Sequence, residues 1–257
     1  MKPNKSLGQH WLRDELVLNE IADCVDIQTD DTIFEIGPGL GTLTSVLAKK
    51  SKQVIALEFD KALAHSLKKS FKNSNIEIIE GDILSFDLTS LPSGYKVVAN
   101  VPYYITAKII QLLTTSQNGP SVAALLVQKE VAERLAAEPG KLSILGVSAQ
   151  YFADVRLGKV VPAELFTPPP KVDSQVVILK RHQKPLFLDI DESVFFKTVK
   201  AGFSSKRKKL RSSLSGGLGI DKKEAEILLK KAAINSDLRA EALTLEQWAA
   251  LSRIIKT

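Results

Sequence analysis

A primary amide, a proline and an aromatic ring stand close together in the tetrapeptide Asn100-Val101-Pro102-Tyr103. It follows the short apolar run Val97-Val98-Ala99, which is typical of a buried strand, and a helical pattern begins near Ile105. The tetrapeptide is therefore predicted to lie at the carboxyl end of a strand, which is where open α/β sheets bind their ligands.

This combination of side chains suits methylation of an exocyclic amine on a nucleic-acid base. The lone pair of such an amine is delocalised into the ring, so the nitrogen is a poor nucleophile. The Asn100 side-chain oxygen can accept one amine hydrogen. Val101 is kept out of the helical region by the proline after it, so a carbonyl of the turn can be aimed at the second hydrogen. Two acceptors would stabilise the positive charge that develops on the nitrogen.

Tyr103 offers a flat face on which a flipped base can stack, a contact worth roughly 1–3 kcal/mol. The plainer alternative for the whole tetrapeptide is a turn that ends a strand, with Asn100 capping a helix and Tyr103 in the core.

A second candidate site is a glycine-rich turn that contains Gly37, Gly39 and Gly41 and follows the first predicted strand. Glycines let the backbone approach a ligand closely at a helix N-terminus, and the G-x-G-x-G spacing here differs from the dinucleotide fingerprint. Glu58 and Asp82 end the next two predicted strands. Glu58 can accept both hydroxyls of a ribose, and Asp82 can accept from the amino group of an adenine. For the turn, the alternatives are a tight turn without a ligand and a phosphate cradle, which the missing P-loop lysine disfavours. For each acid, the alternative is a cap or a turn.

Strand patterns alternating with helical patterns must position these residues. The predicted strands are residues 32–36, 54–57, 76–79, 97–99, 122–127, 155–161 and 175–179. Amphipathic helices are predicted from about Asp14, from Lys61 after Asp60, and after the Asn100 turn, with Asp14 and Asp60 as N-caps. Such alternation favours an α/β fold in which a parallel sheet carries helices on both faces.

Three consecutive prolines, Pro168 to Pro170, follow Phe166 in the loop between the last two predicted strands. A proline run is stiff, so this loop can hold a side chain in place before a ligand arrives. We expect Phe166 to form the wall opposite Tyr103 around the target base. The alternative is that Phe166 is a small anchor in the core.

The segment Lys5–Leu12 mixes small, polar and aromatic residues just before the first helix. Its composition leaves two interpretations open, a cover over a cofactor pocket or a frayed terminus.

The character of the chain changes after residue 184, where only helical patterns remain, near residues 193–203, 205–214, 222–232 and 245–255. Gly216 to Gly219 is expected to break them. We therefore predict one domain over residues 1–184 and a small helical domain over residues 185–257.

Charge distinguishes the two predicted domains. Residues 184–257 hold 15 basic and 9 acidic side chains, so the whole net charge of +6 lies in this last part of the chain. A basic face of this kind most often meets nucleic acid, although a solvated lysine-rich surface is the alternative. The densest stretch is predicted to line a phosphate backbone, and its cations are Lys206, Arg207, Lys208, Lys209 and Arg211.

Composition excludes several classes of protein. A single cysteine, Cys24, leaves no internal disulfide and no cysteine-based metal cluster. No apolar run reaches the ~18 residues of a membrane span, and no apolar core of a signal peptide follows the N-terminal residues. We expect a cytoplasmic protein that needs no metal.

In order and spacing, these motifs resemble the KsgA-type rRNA adenine dimethyltransferases. The resemblance rests on Lys5–Leu12, Glu35–Thr44, Asn100–Tyr103, Gln128–Leu135 and Phe166–Ser174, and it extends to the last helix. It implies a Rossmann-like domain that uses S-adenosyl-L-methionine, followed by a small all-helical domain. It also implies dimethylation of N6 on two adjacent adenosines in the 3′-terminal hairpin of 16S rRNA, late in the biogenesis of the small (30S) ribosomal subunit.

The resemblance also assigns residues. It places cofactor contacts on His10, Leu12, Gly37, Glu58, Asp82 and Asn100, and Gly39 belongs to the same predicted turn. The predicted catalytic set is Asn100, Pro102, Tyr103 and Phe166. Two positions depart from the family pattern, because His10 is often asparagine there and Trp11 is more often phenylalanine.

The partner implied is small-subunit rRNA within a precursor particle, bound by a monomer. One alternative is a large-subunit rRNA adenine methyltransferase of the antibiotic-resistance type. Another, from a different class, is a ribosome-assembly checkpoint or a transcription factor on a methyltransferase scaffold. A DNA adenine methylase is disfavoured, since no module for reading a DNA sequence is recognisable.

Overall fold

The computed structural model describes residues 9–255, so Lys5–Gly8 of the N-terminal motif lie outside the described residues. The described chain forms two compact units. The first ends at Glu133 and is completed by Ala153–Arg181, and the second consists of Arg134–Phe152 and the chain from His182 onward. No helix in the described part of the chain is long and apolar enough to cross a bilayer.

A seven-stranded sheet is the centre of the first unit. Its strands are β2 (Thr32–Ile36), β3 (Gln53–Glu58), β4 (Ile76–Glu80), β5 (Lys96–Asn100), β6 (Val122–Gln128), β7 (Ala153–Val161) and β9 (Ser174–Arg181). A separate two-stranded sheet pairs β1 (Trp11–Leu12) with β8 (Phe166–Thr167). The seven predicted strands are therefore confirmed, whereas the two-residue strands β1 and β8 carry too little periodicity to be predicted.

Helices connect these strands. In chain order they are α1 (Glu15–Asp23), α2 (Thr42–Lys50), α3 (Lys61–Ser70), α4 (Thr106–Thr115), α5 (Lys129–Leu135) and α6 (Ile144–Phe152). Both predicted N-caps are confirmed, since the Asp14 carboxylate accepts from Val17 N and that of Asp60 from Ala62 N and Leu63 N. The caps satisfy backbone donors that the first helical turn leaves unpaired.

The order of strands creates the site. The order is β4-β3-β2-β5-β6-β9-β7, with parallel pairing from β4 to β6 and antiparallel pairing of β9 with both neighbours. The prediction of a parallel sheet is thus confirmed for five strands. The chain winds outward in one direction from β2 and in the other from β5. A crevice opens beyond the carboxyl ends of two such neighbouring strands, and ligands bind there.

Apolar burial holds this sheet in place. Ile33, Val54, Val98, Ala124 and Val176 are fully buried in one hydrophobic cluster that also receives side chains of α1 and α2. The strands read as nearly continuous apolar runs because helices cover both faces of a parallel sheet. Each large aliphatic side chain so buried contributes about 1.5–3 kcal/mol.

The second unit is helical. Besides α6, it contains α7 (Glu192–Gly202), α8 (Leu210–Leu218), α9 (Lys222–Lys231) and α10 (Leu245–Ile255). Their buried faces meet around Trp248, Phe195 and Leu210. Leu142, Val147 and Tyr151 belong to this same core, which is why residues 134–152 lie in the helical unit. The predicted single domain boundary after residue 184 therefore differs from the structure, in which residues 134–152 also belong to the helical unit.

Helix α8 corrects one prediction. Gly216 and Gly217 were expected to break a helix, yet both lie inside α8, and the predicted helical residues 205–208 form a turn. A β-carbon on Gly217 would lie 2.4 Å from the Ala201 Cα, so the glycine permits a close approach to α7. The break comes at Gly219, the C-cap, whose φ of 71° is left-handed.

Candidate active site at the sheet switch point

A cleft with about 800 Å³ of open space lies at the carboxyl edges of β2, β3 and β5. Its lining comes from Gln9–Leu12, Gly37–Leu40, Glu58–Phe59 and Asn100–Tyr104, together with Leu18, Glu35, Thr42 and Leu43. These segments are far apart in sequence and meet because strand order brings their strand ends together.

The glycine-rich turn forms one wall of the cleft. Gly37, Gly39 and Gly41 all have left-handed φ values, of 69°, 58° and 79°. Their backbone N–H groups are already used, because Gly37 N donates to the Leu57 carbonyl, Gly39 N to Glu58 Oε2 and Gly41 N to the Pro38 carbonyl. The turn is therefore rigid, and these three N–H groups do not point at a ligand.

Glu58 fixes that turn and faces the cleft. Its Oε1 accepts from Asp60 N at 2.8 Å and its Oε2 from Gly39 N at 3.0 Å, and the residue is 5% exposed. Burial raises the pKa of the carboxyl, and the two backbone N–H donors oppose that rise. Each carboxylate oxygen has a second lone pair. The carboxylate can therefore still accept a ribose hydroxyl.

Asn100 is held by its nitrogen and leaves its oxygen available. Its Nδ2 donates to the His10 carbonyl at 3.0 Å, and no described residue donates to its Oδ1. The Pro102 carbonyl is occupied by Ile105 N and Thr106 Oγ1. The Val101 carbonyl receives no hydrogen bond from the described residues. The turn thus presents a side-chain acceptor and a main-chain acceptor, as the chemistry of an exocyclic amine requires.

Tyr103 is fixed from two sides. Its hydroxyl lies 2.5 Å from Ser174 Oγ, and its ring stacks on the His10 ring with 5.7 Å between centroids and 20° between planes. Burial raises the pKa of the phenol, so the hydroxyl stays neutral. His10 is held in turn, because its Nδ1 lies 2.7 Å from the Pro168 carbonyl. The N-terminal segment thus packs onto the cleft and is not a frayed end at residues 9–12.

Phe166 does not form the opposite wall of a base pocket. It is 2% exposed, pairs with Leu12 in the β1–β8 sheet and lies in the hydrophobic core of the first unit. The prediction that it faces Tyr103 is wrong, and the alternative of a core anchor is correct. The physical reason is that removing a phenyl group from water into an apolar cluster is strongly favourable, and the stiffness of the loop does not offset that free energy.

Asp82 lies outside the lining of the cleft. It follows β4, and its Oδ1 accepts from Leu84 N at 2.9 Å, which is a turn-capping bond. The other predicted cofactor residues, which do line the cleft, are His10, Leu12, Gly37, Gly39, Glu58 and Asn100. Pro102 and Tyr103 line it as well. A role for Asp82 at the far end of a bound adenosine stays a prediction.

Sequence reasoning missed Glu35 as a member of this site. It is 1% exposed on β2 and lines the cleft, and its Oε2 has no hydrogen-bond partner among the described residues. Burial raises the pKa of Glu35 to about 8; the Thr44 side chain opposes this rise, and the charge of Glu58 adds to it. The sequence contained a signal for this role, because a single carboxylate within an otherwise apolar parallel strand is costly to bury and is therefore a candidate for function.

Two exposed aromatic rings at the cleft were also missed. Phe59 is 56% exposed directly after Glu58, and Tyr104 is 64% exposed directly after Tyr103. Both line the cleft. Exposed large aromatic side chains beside a pocket offer faces on which a heterocyclic ring can stack.

The predicted basic stretch is divided in the structure. Lys209 pairs with Asp237 at 3.1 Å, and Arg211 pairs with Asp237 at 3.0 Å and with Glu226 at 3.1 Å. Lys206, Arg207 and Lys208 are exposed in the turn before α8 and have no acidic partner among the described residues. The prediction that these five cations line a phosphate backbone stays a prediction, and the three without an acidic partner are the better placed for that contact.

Comparison with known protein families and curated sequences agrees with this geometry. The sequence model of the family described as "Ribosomal RNA adenine dimethylase" matches residues 1–257. The protein named "Ribosomal RNA small subunit methyltransferase A" from Dehalococcoides mccartyi (strain ATCC BAA-2266 / KCTC 15142 / 195) is 39% identical over 255 residues, covering 98% of this chain and 88% of that protein. The protein of the same name from Clostridioides difficile (strain 630) is 38% identical over 266 residues, covering 100% and 92%.

Solved structures show the same architecture. A dimethyladenosine transferase from Plasmodium falciparum has a TM-score of 0.80 and 26% identity, covering 94% of this chain and 96% of that one. The 23S rRNA methyltransferase ErmE has a TM-score of 0.77 and 27% identity, covering 96% and 100%. The similarity extends over both units of the chain, so it is not confined to the sheet domain.

Proposed function

The chain belongs to the ribosomal RNA adenine dimethylase family, and from that premise we propose that it dimethylates N6 of adenosines in small-subunit rRNA. It is an S-adenosyl-L-methionine-dependent methyltransferase with a Rossmann-like sheet domain and a helical domain. The one observation that carries the proposed chemistry is the anchored amide of Asn100, whose nitrogen is held by His10 and whose oxygen faces the cleft unpaired.

The residues of the cleft fit S-adenosyl-L-methionine. Glu58 would hold the ribose hydroxyls, the rigid turn at Gly37 and Gly39 would allow close approach, and Asp82 would serve the adenine amine. Two buried polar atoms of cleft residues, Trp11 Nε1 and Glu35 Oε2, have no partner among the described residues. Unpaired buried polar atoms are uncommon in native proteins and are expected where a ligand completes the site. When bound, this cofactor supplies an electrophilic methyl group.

The chain's own residues act on the nucleophile. Asn100 Oδ1 and the Val101 carbonyl are proposed to accept the two hydrogens of the adenine amine, which places the nitrogen and stabilises the charge it acquires. Preorganised groups of this kind contribute about 2.7–4 kcal/mol each. Tyr103, fixed by Ser174 and His10, is proposed to support the base by stacking. The amine proton is proposed to leave to water, since the turn contains no general base.

The target site, the substrate particle and the timing of modification are also proposed. We infer that the target is a pair of adjacent adenosines in the 3′-terminal hairpin of 16S rRNA within a pre-30S particle, modified late in assembly by a cytoplasmic monomer. The support is the shared name of the relatives and the exposed cations Lys206, Arg207 and Lys208 in the basic helical unit. Cations of this kind bind a phosphate backbone and read no base, so specificity must come from the shape of the particle.

One experiment tests the proposed reaction and its substrate together. The purified protein would be incubated with tritium-methyl S-adenosylmethionine and, in parallel, undermethylated small subunits, large subunits and naked rRNA. Modified bases would then be mapped by primer extension and mass spectrometry. Two dimethylated adenosines near the 3′ end of small-subunit rRNA are expected, with the small subunit as the preferred substrate.

Other outcomes distinguish the alternatives. Methylation of the large subunit alone would support the function named for ErmE, whose identity to this chain is 27% against 39% for the D. mccartyi relative. Tight binding to small subunits without methylation would support an assembly checkpoint. Either result would overturn the proposed activity.

A further inference from the structure

Trp11 carries a polar atom that no described residue satisfies. The residue is 7% exposed, and its indole Nε1 is buried without a hydrogen-bond partner among the described residues. A buried N–H that gives up water and finds no acceptor lowers stability by about 1–3 kcal/mol. Where such a group lies beside a ligand cleft, a bound ligand can supply the missing acceptor.

The location of Trp11 points to the missing acceptor. The residue lines the cleft, and its Cδ1 and Nε1 would lie 3.3 Å from a β-carbon placed on Gly39. The indole therefore packs edge-on against the glycine-rich turn, two residues before Gly41, the N-cap of α2. Gly41 provides no side-chain cap, so the first N–H groups of this nine-residue helix have no side-chain acceptor at the cap. An uncapped helix N-terminus favours an anion.

Three glycine N–H groups and one hydroxyl near this turn are already engaged. The N–H groups of Gly37, Gly39 and Gly41 bind protein acceptors, and the Thr42 hydroxyl donates to the Leu12 carbonyl. Burial raises the pKa of the Glu35 carboxyl to about 8, which favours its uncharged form and weakens its repulsion of an anion beside the turn. Among the described donors beside the turn, the Trp11 indole N–H, the Leu40 N–H and the N-terminus of α2 remain.

We propose that the Trp11 indole N–H, together with the N-terminus of α2, binds the α-carboxylate of S-adenosylmethionine. The inference rests on the proposed function and adds to it a residue and a contact. The carboxylate is the only anionic group of this cofactor, and it has no other free N–H donor among the glycines of the turn. Trp11 is thereby a cofactor-binding residue that selects ligands with an intact amino-acid end.

The test uses two ligands that differ in that end. S-adenosylhomocysteine has the carboxylate, and 5′-methylthioadenosine lacks the whole amino-acid group. Dissociation constants for both would be measured by calorimetry with the full chain, with Trp11→Phe and with Trp248→Phe. Trp248 is the matched control, because it is the other tryptophan and its buried Nε1 also has no partner in the described part of the chain, but it lies in the core of the helical unit.

We expect Trp11→Phe to weaken binding of S-adenosylhomocysteine and not of methylthioadenosine. Trp11→Phe keeps an aromatic ring and removes the N–H, so affinity for S-adenosylhomocysteine should fall about tenfold or more, as for a hydrogen bond to a charged group. Affinity for methylthioadenosine should stay the same, and Trp248→Phe should change neither. An equal loss for both ligands would show that Trp11 acts by packing alone and would overturn the inference.

A second measurement observes the Trp11 indole directly in the wild-type protein, so it does not depend on whether a Trp11 variant folds. The wild-type protein labelled with ¹⁵N at its indoles should show two side-chain signals, which Trp248→Phe assigns. Adding S-adenosylhomocysteine should move the Trp11 signal downfield and slow its hydrogen exchange, and methylthioadenosine should not. If the backbone signals of Gly37 and Gly39 respond while the Trp11 indole does not, the inference fails and the proposed function stands. If neither ligand binds at all, the proposed function itself fails.

Discussion

Replacing Asn100 with alanine should separate methyl transfer from cofactor binding and from folding. The substitution removes an acceptor aimed at the reacting amine and also removes the bond from Nδ2 to the His10 carbonyl. A preorganised group at a charge-developing atom is worth about 10²–10³ in rate. The lost bond to His10 should lower the free energy of unfolding by only about 1 kcal/mol.

The assay is single-turnover transfer of a tritiated methyl group to undermethylated small subunits, with cofactor affinity measured separately by calorimetry. We expect Asn100→Ala to lower the rate at least about 100-fold and cofactor affinity by less than about tenfold. Asn100→Asp should also fail, because a carboxylate oxygen would replace the amide nitrogen that now donates to the His10 carbonyl.

Asn19→Ala provides the control. The Asn19 amide also makes one bond to a backbone carbonyl, that of Glu15 at 2.8 Å, and the residue does not line the cleft. Its variant should transfer methyl groups at the wild-type rate. If Asn100→Ala retained transfer within about threefold of the wild type, the role given to the Asn100 oxygen would be refuted.

Three further predictions concern charge and packing. The Glu35 pKa is raised from 4.5 to about 8, so the folded state binds the proton more tightly, and the free energy of unfolding should fall as pH rises from about 5 to about 8. In urea titrations, the free energy of unfolding of Glu35→Gln should depend less on pH than that of the wild type, so that the variant is relatively more stable by a few kcal/mol at pH 8.5. The same pH dependence in both proteins would contradict the burial of an uncharged Glu35. Tyr103→Phe should lose only the bond to Ser174, about 1 kcal/mol of stability, and keep transfer, whereas Tyr103→Ala should lose transfer at least about tenfold; equal activity of the two variants would remove the ring from the mechanism. Neutralising Lys206–Lys208 should reduce the salt slope of RNA affinity by up to about 2, whereas Arg211→Gln, which breaks internal ion pairs, should leave the slope unchanged; the opposite pattern would show that the paired cations contact RNA.

The positions of Gly37, Glu58 and Asn100 could be predicted from the sequence because each follows a strand with a clear apolar run. Once those strands are parallel, their carboxyl ends must lie on one edge of the sheet. Local pattern and a single topological rule were therefore enough to bring the three residues together, as the structure has them.

Phe166 and Arg211 could not be placed in the same way. Whether Phe166 faces solvent or the core depends on its pairing with Leu12, 154 positions earlier in the chain, through strands of two residues each. The partners of Arg211 are Glu226 and Asp237, which only helix packing brings near it. Contacts of this kind leave no periodic signal in a sequence.

Glu35 and Trp11 show a third limit. Their residue types were visible, but their importance lies in buried polar atoms that have no hydrogen-bond partner among residues 9–255. A sequence shows which groups can form hydrogen bonds, and only the packed structure shows which of them have none.

The most direct test of the account is a crystal structure of the protein with S-adenosylhomocysteine. The ligand should lie in the cleft at the carboxyl edges of β2, β3 and β5, with its ribose against Glu58, its sulfur near Asn100 and the glycine-rich turn beneath it. Ordered ligand at any other place, with Gly37, Glu58 and Asn100 left in contact with solvent, would contradict the assignment of this cleft as the active site.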